Sequence, residues 1–173
     1  MLAHSVPLPG DARSLAQSFA TWLDDSLDPG HRTGSVAPVF SENESSIFLD
    51  SARAVLLIRT GLLAGNVAEL VPLLGLSKKE DLSRALNANS TSLWRWARDN
   101  KPLPGQTVEQ ILRAMQLTLF AAEVFGGVEA ARQWLHKPHP SLDGMAPIDY
   151  ADNEFGAQKV RGMLAGLKYG GVA

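Results

Sequence analysis

Past residue 50, apolar residues return at three- and four-residue intervals, and glycine, proline and asparagine cut that rhythm into short lengths. Such spacing gathers apolar side chains on one face only in a helix, so the pattern commits the chain to a succession of short helices. "SARAVLLIRT" runs up to Gly61, a residue suited to ending a helix. "NVAELVPLLGL" holds Pro72 inside it, which predicts a short or bent helix. "SKKEDLSRAL" reads as a helix opened by a capping box of Ser77 and Glu80, with Leu82, Ala85 and Leu86 inward. "NANS" breaks that helix, and Asn89 is the expected N-cap of the next one, "STSLWRWAR". Thr107, with Gln110 three residues on, is the expected cap of the longest helix, "VEQILRAMQLTLFAAEVF", which Gly126 ends. Its core candidates are Val108, Ile111, Leu112, Met115, Leu119 and Phe120. "VEAARQWLHK" stops at Pro138, and "AQKVRGMLAGLKYGG" is a last helix ended by glycine. No stretch of useful length alternates as a strand should, so the expected fold is all-α.

The first fifty residues have a different character. "SLAQSFATWLDDSL" spaces Leu15, Phe19, Trp22, Leu23 and Leu27 as one helix face, and "DPGHRTGSVAPV" reads as linker. Asp11, Asp24, Asp25, Asp28, Glu42, Glu44 and Asp50 face only Arg13 and Arg32, so residues 1–50 form an acidic extension. The totals restrict function rather than name it. With 173 residues, 45% of them hydrophobic, there is material for one domain or two small ones. A net charge of −2 and a pI near 6.1 give no overall pull toward nucleic acid or membrane, so an anion-binding surface must be local. The absence of cysteine excludes disulfides and thiolate metal sites and fits a cytoplasmic protein. No apolar run reaches the roughly 20 residues of a membrane span, and the opening "MLAHSVPLPGDARS" lacks the pattern of a signal peptide.

"SKKEDLSRALNANSTSLWRWARDN" sets a short helix, a tight turn and a second short helix in sequence, the plan of a helix-turn-helix. In that motif the second helix enters the major groove by its N-terminal residues. Those residues are Ser90, Thr91 and Ser92, followed by Trp94, Arg95 and Arg98, with Lys78 and Lys101 beside them. Hydroxyls and cations suit phosphates and base edges, and the helix N-terminus adds amides that favour a phosphate. Lys78, Lys79, Arg84, Arg95, Arg98 and Lys101 outnumber Glu80, Asp81 and Asp99, so a basic patch coexists with an acidic total. Leu93, Trp96 and Ala97 share a face, which places Trp96 in the core and leaves Trp94 on another side. A short recognition helix reads few base pairs, so a homodimer on paired half-sites is expected. Two-helix corners also occur in ordinary bundles, and the bland reading of Arg95 and Arg98 is a solvated face.

Catalytic and metal signals are weak. His136 and His139 have H-x-x-H spacing, but Pro138 and Pro140 break the helix such a site needs. No nucleophile elbow and no phosphate loop occurs. The chain reads as a non-enzyme with no cofactor and no metal.

From Ala122 onward the sequence resembles the toxin-binding domain of Xre/MbcA/ParS-type antitoxins. Ala122, Val124, Phe125 and Gly126 match its first run; Glu129, Ala130, Trp134 and Leu135 its second. Pro138, Pro140, Leu142, Gly144, Pro147, Gly156, Val160 and Leu164 follow in order. The resemblance implies three regions: the extension 1–50, a helix-turn-helix region 51–121 and a toxin-binding region 122–173. It implies an antitoxin of a type II toxin–antitoxin module that represses its own operon through operator DNA and inhibits a RES-domain toxin, the product of an adjacent gene. Such toxins consume NAD or transfer ADP-ribose from it, and the antitoxin's tail covers the NAD pocket. On this reading the toxin-binding residues are Lys159, Arg161, Leu164, Lys168, Tyr169, Gly170 and Gly171, with Trp134 stapling its own helix to the long one. The rival reading is a stand-alone helix-turn-helix transcriptional regulator without a toxin.

Overall fold

The structure, a computed structural model, describes residues 10–28, 40–42 and 47–170, the side chains of 41, 42, 47 and 48 excepted. It is all-α, with one small ribbon added. The long helix α6 (Gly105–Phe125) is the axis of the molecule. Twelve of its residues are buried, over a face wider than a single stripe, and Glu109 on the remaining side is exposed. A helix with so broad a buried face must be covered by several neighbours. Around it pack α1 (Ala12–Asp25), α2 (Ser51–Thr60), α7 (Val128–His136) and α9 (Glu154–Tyr169). The strands β1 (Phe40–Glu42) and β2 (Ile47–Leu49) pair antiparallel, Phe40 opposite Leu49, and β2 also lies on α6. Three residues a side are too few to show an alternating pattern, which is why the sequence did not display this ribbon.

The helix of the acidic extension is part of the common core. Asp11 caps α1 by accepting from the Ser14 amide at 2.8 Å, and that bond holds its carboxyl below the usual range. Leu15, Phe19, Trp22 and Leu23 are buried on one face, as their spacing predicts. Phe19 packs against Phe40 with ring centroids 6.3 Å apart. Trp22 satisfies its indole N–H on the carbonyl of Asn66 at 2.9 Å.

The start of α6 differs from expectation. It begins at Gly105, not behind a Thr107 cap, and Thr107 lies buried in its first turn. Packing decides this. A Cβ on Gly105 would stand 3.3 Å from the backbone oxygen of Ile58, so glycine lets α6 start against the backbone of α2. The segment before it is pinned as well: Leu103 N–H donates to Leu62 O at 2.7 Å, and Ala64 N–H to Lys101 O at 3.0 Å. Among the described residues, no single helix is long and apolar enough to cross a membrane. Replacing Phe19 by Ala removes a fully buried ring between α1 and the ribbon, and should cost about 3–5 kcal/mol in urea unfolding of the whole chain. A loss below about 1 kcal/mol would mean that α1 is not part of the cooperative fold.

Candidate functional site

Two surfaces carry the predicted site residues. The first is the pair α4 (Lys79–Ala85) and α5 (Ser90–Arg98), joined by the four residues 86–89. The opening of α4 corrects the sequence reading. Lys78, not Ser77, is the N-cap, and the reciprocal acid is Asp81, which accepts from the Lys78 amide at 3.1 Å. The helix starts one residue late, and Glu80 falls out of reach of that amide. Asn87 turns the chain with a left-handed φ of 44°, tolerable for asparagine. Asn89 caps α5 as expected, accepting from Ser92 N–H at 3.0 Å. Leu82, Leu86 and Leu93 are fully buried and seat the pair on the core.

The outward face of α5 presents Ser90, Thr91, Arg95 and Arg98, all exposed, with Ser92 and Trp94 half-buried at its edge. Lys78, at the N-cap of α4, and Lys101, just past the end of α5, are exposed as well. Helical spacing thus puts Ser90, Thr91, Trp94, Arg95 and Arg98 on one side of α5, with two qualifications. Arg98 donates through Nε to Asp99 at 3.0 Å. That bond, with Coulombic help from Arg98, Lys101 and Arg95, holds the Asp99 carboxyl below its ordinary value. Arg84 is not a spare cation of the patch, since it pairs with Asp81 at 2.5 Å and with Asp149 at 3.5 Å. One of the two tryptophans is also corrected. Trp96 is only half-buried, because it lies at the edge of the face that Leu93 buries. Trp94 is equally half-buried, with Lys79 Nζ 5.1 Å from its ring centre.

The second surface is built by the end of α6, α7, the short helix α8 (Pro147–Tyr150) and α9. Gly126, at φ 69°, ends α6 and turns the chain back into α7. Trp134 sits between Phe125 and His139, with ring centroids at 5.7 and 6.4 Å, so it does staple α7 to the end of α6. His139 Nδ1 accepts from Ser141 N–H at 3.2 Å. Asn153 caps α9 by accepting from Gly156 N–H at 3.1 Å. Gly156 lies where α9 crosses α8, and a Cβ there would stand 1.9 Å from the Tyr150 carbonyl oxygen.

The predicted residues of this surface separate into five groups. Lys159 and Tyr169 are exposed, Tyr169 at 75%. Arg161 bonds to Glu154 along the same helix. Lys168 folds back, 3.4 Å from Glu123 of α6 and about equally distant from the Phe120 and Tyr169 rings. Leu164 is fully buried and is corrected to a core residue: it shares the inward face of α9 with Ala157 and Val160. Gly170 caps α9 in the left-handed conformation at φ 74°, while Gly171 lies outside the described residues.

Two notable residues, Arg132 and Phe155, escaped the sequence reading, and His136 was read only as half of an H-x-x-H pair. Arg132 is buried on α7 and donates through Nη2 to the carbonyls of Pro72 and Leu73. Burial pulls its guanidinium below the ordinary value, with Glu129 opposing. His136, one turn on, bonds to the Leu74 carbonyl at 2.9 Å; a carbonyl only accepts, so Nε2 carries the hydrogen. Phe155 is 86% exposed in the first turn of α9. Nothing local marks Arg132 and His136, since their partners lie about sixty residues away. Phe155 stands on a face where apolar side chains are not needed for packing.

Ala in place of Gly156 should cost about 2–3 kcal/mol in urea unfolding, because its methyl meets backbone rather than a movable side chain. An unchanged midpoint would show that α8 and α9 separate at little cost.

Residues 120–170 match the family model described as the antitoxin Xre/MbcA/ParS C-terminal toxin-binding domain. Over 71 residues the chain is 28% identical to "Antitoxin Xre" of Pseudomonas putida, an alignment covering 41% of this chain and 45% of that relative. The chain thus spans about half the length of this curated relative. The segment that builds the second surface, from the end of α6 to the end of α9, is similar throughout to the toxin-binding part of an antitoxin.

Proposed function

We propose that this chain is the antitoxin of a type II toxin–antitoxin pair. One observation carries the reading: the match to a toxin-binding domain coincides with one continuous structural unit, α6 end to α9. The toxin is a RES-domain protein, product of an adjacent gene, that consumes NAD or transfers ADP-ribose, and the chain inhibits it by covering the active site. The residues available for this are Lys159 and Tyr169, exposed on α9, and Gly170 at its end, with Gly171 following in sequence. Lys168 contributes only by leaving Glu123, so Tyr169 and the glycine backbone carry more of the contact. The role is regulatory, with no chemistry performed by the chain itself.

The helix pair binds operator DNA as an autorepressor. Ser90, Thr91, Ser92 and the amide end of α5 face phosphate, Arg95 and Arg98 reach base edges or phosphate, and Lys78 and Lys101 flank the groove. The Arg98–Asp99 pair is an exposed one and yields readily to a phosphate. Two copies acting as a homodimer supply the paired half-sites. The DNA-facing side chains of α5 all lie outside residues 120–170, which favours as a second reading a stand-alone helix-turn-helix regulator without a toxin.

Cellular NAD is the deciding measurement. Expression of the adjacent gene alone should collapse NAD, and co-expression of this chain should restore it. NAD that never falls, or falls equally with both proteins present, removes the toxin reading and leaves the regulator. Deleting residues 168–173 should weaken protection against the toxin and leave DNA binding intact; full neutralisation by the shortened chain rules out the tail as the blocking element.

DNA binding has its own test. Replacing Arg95 and Arg98 together by Ala should weaken binding to a duplex from upstream of the gene, and lower the salt slope by about two units. Unchanged affinity and slope would reassign α5 to packing alone.

A further inference from the structure

Two side chains of α7, one helical turn apart, reach three successive carbonyls of a distant segment. Arg132 Nη2 donates to Pro72 O at 2.7 Å and to Leu73 O at 3.3 Å, and His136 Nε2 donates to Leu74 O at 2.9 Å. These carbonyls end the short helix α3 (Leu70–Leu73). The end is closed from within as well: Leu76 N–H returns to Val71 O and Gly75 N–H to Pro72 O. Gly75, at φ 72°, then redirects the chain toward α4. A Cβ on Gly75 would stand 2.3 Å from Arg132 Cγ, so the arginine stem lies directly on that turn.

The arrangement is a poor way merely to glue two helices. Arg132 is 7% exposed, its Nε has no hydrogen-bond partner, and among the described residues it forms no ion pair. Apolar residues of similar volume commonly stabilise such a contact as well or better, so the gain from a buried guanidinium lies in direction. Three bonds from one helix face fix where α3 ends and therefore how α4 sets out. A second contact acts further along: Arg84 Nε of α4 lies 3.5 Å from Asp149 of α8. The 120–170 segment thus holds both the approach to the helix pair and the body of its first helix.

We propose that α7 is a latch. Arg132 and His136 are positioning residues that orient the α4–α5 pair from within residues 120–170, so a toxin seated on that segment alters how the pair meets duplex DNA. The coupling rests on the antitoxin reading above; the latch itself does not.

Amide hydrogen exchange on the full chain separates the two. Arg132→Met keeps the aliphatic stem over Gly75 and removes the guanidinium. Exchange across residues 79–98 should quicken by about tenfold, with residues 157–169 unchanged. Equal quickening in both regions means that Arg132 only supports the whole fold, and it overturns the latch; so does no change. His136→Leu removes a single bond and gives the same comparison should Arg132→Met fail to fold. For the coupling, the purified adjacent-gene toxin should protect 154–170 and 79–98 in the unaltered chain, and only 154–170 in Arg132→Met. Protection confined to 154–170 in the unaltered chain overturns the coupling and leaves toxin binding standing. Protection nowhere removes the toxin reading and the coupling with it, while the free-chain comparison still decides the latch.

Discussion

Everything in this molecule is arranged around the need to cover α6. A helix with so broad a buried face has no stable existence alone in water, and each of its neighbours excludes solvent from one part of that face. The extension supplies α1 and the ribbon, the middle of the chain supplies α2, and the C-terminal segment supplies α7 and α9. The surfaces that carry charge and hydroxyl groups are therefore the outer faces of elements whose inner faces are already committed. The helix pair stands slightly apart from this scheme. It is seated by Leu82, Leu86 and Leu93 and held at its base by side chains from α7 and α8.

Local chemistry was legible in the sequence, and long-range packing was not. Gly61, Gly126 and Gly170 end helices where the sequence places the stops, because a positive φ is a property of the residue itself. Asn89 caps α5 for an equally local reason. The start of α6 was misplaced because a close approach to Ile58, nearly fifty residues earlier, decides it. The Ser77–Glu80 motif failed against Lys78 and Asp81 by a single residue, a shift that pattern alone does not resolve.

The candidate sites divide in the same way. On α5 the exposed hydroxyls and arginines were readable, since an amphipathic helix sorts its own faces. Trp96 was given too much burial because α5 presents its apolar stripe to the core through Leu93, leaving the indole at the margin. On α9, four of the named residues face solvent or the helix end, yet Leu164 sits on the inward side with Val160. Helical arithmetic alone separates these two sides once Gly156 is known to face α8. Lys168 was legible as a cation but not as the partner of Glu123, a pairing made only when α9 returns alongside α6.

The continuity of α6 bears on how such a chain can be inherited. A division between residues 121 and 122 falls inside an unbroken helix, with buried residues on both sides of it. Recombination that swapped the C-terminal region at that point would splice two half-helices whose core side chains had been fitted to different neighbours. It would also separate Arg132 from the Gly75 turn it rests on. If α9 meets a toxin as proposed, exchange of partner specificity between relatives should therefore proceed by substitution on its outer face, and not by shuffling of whole segments.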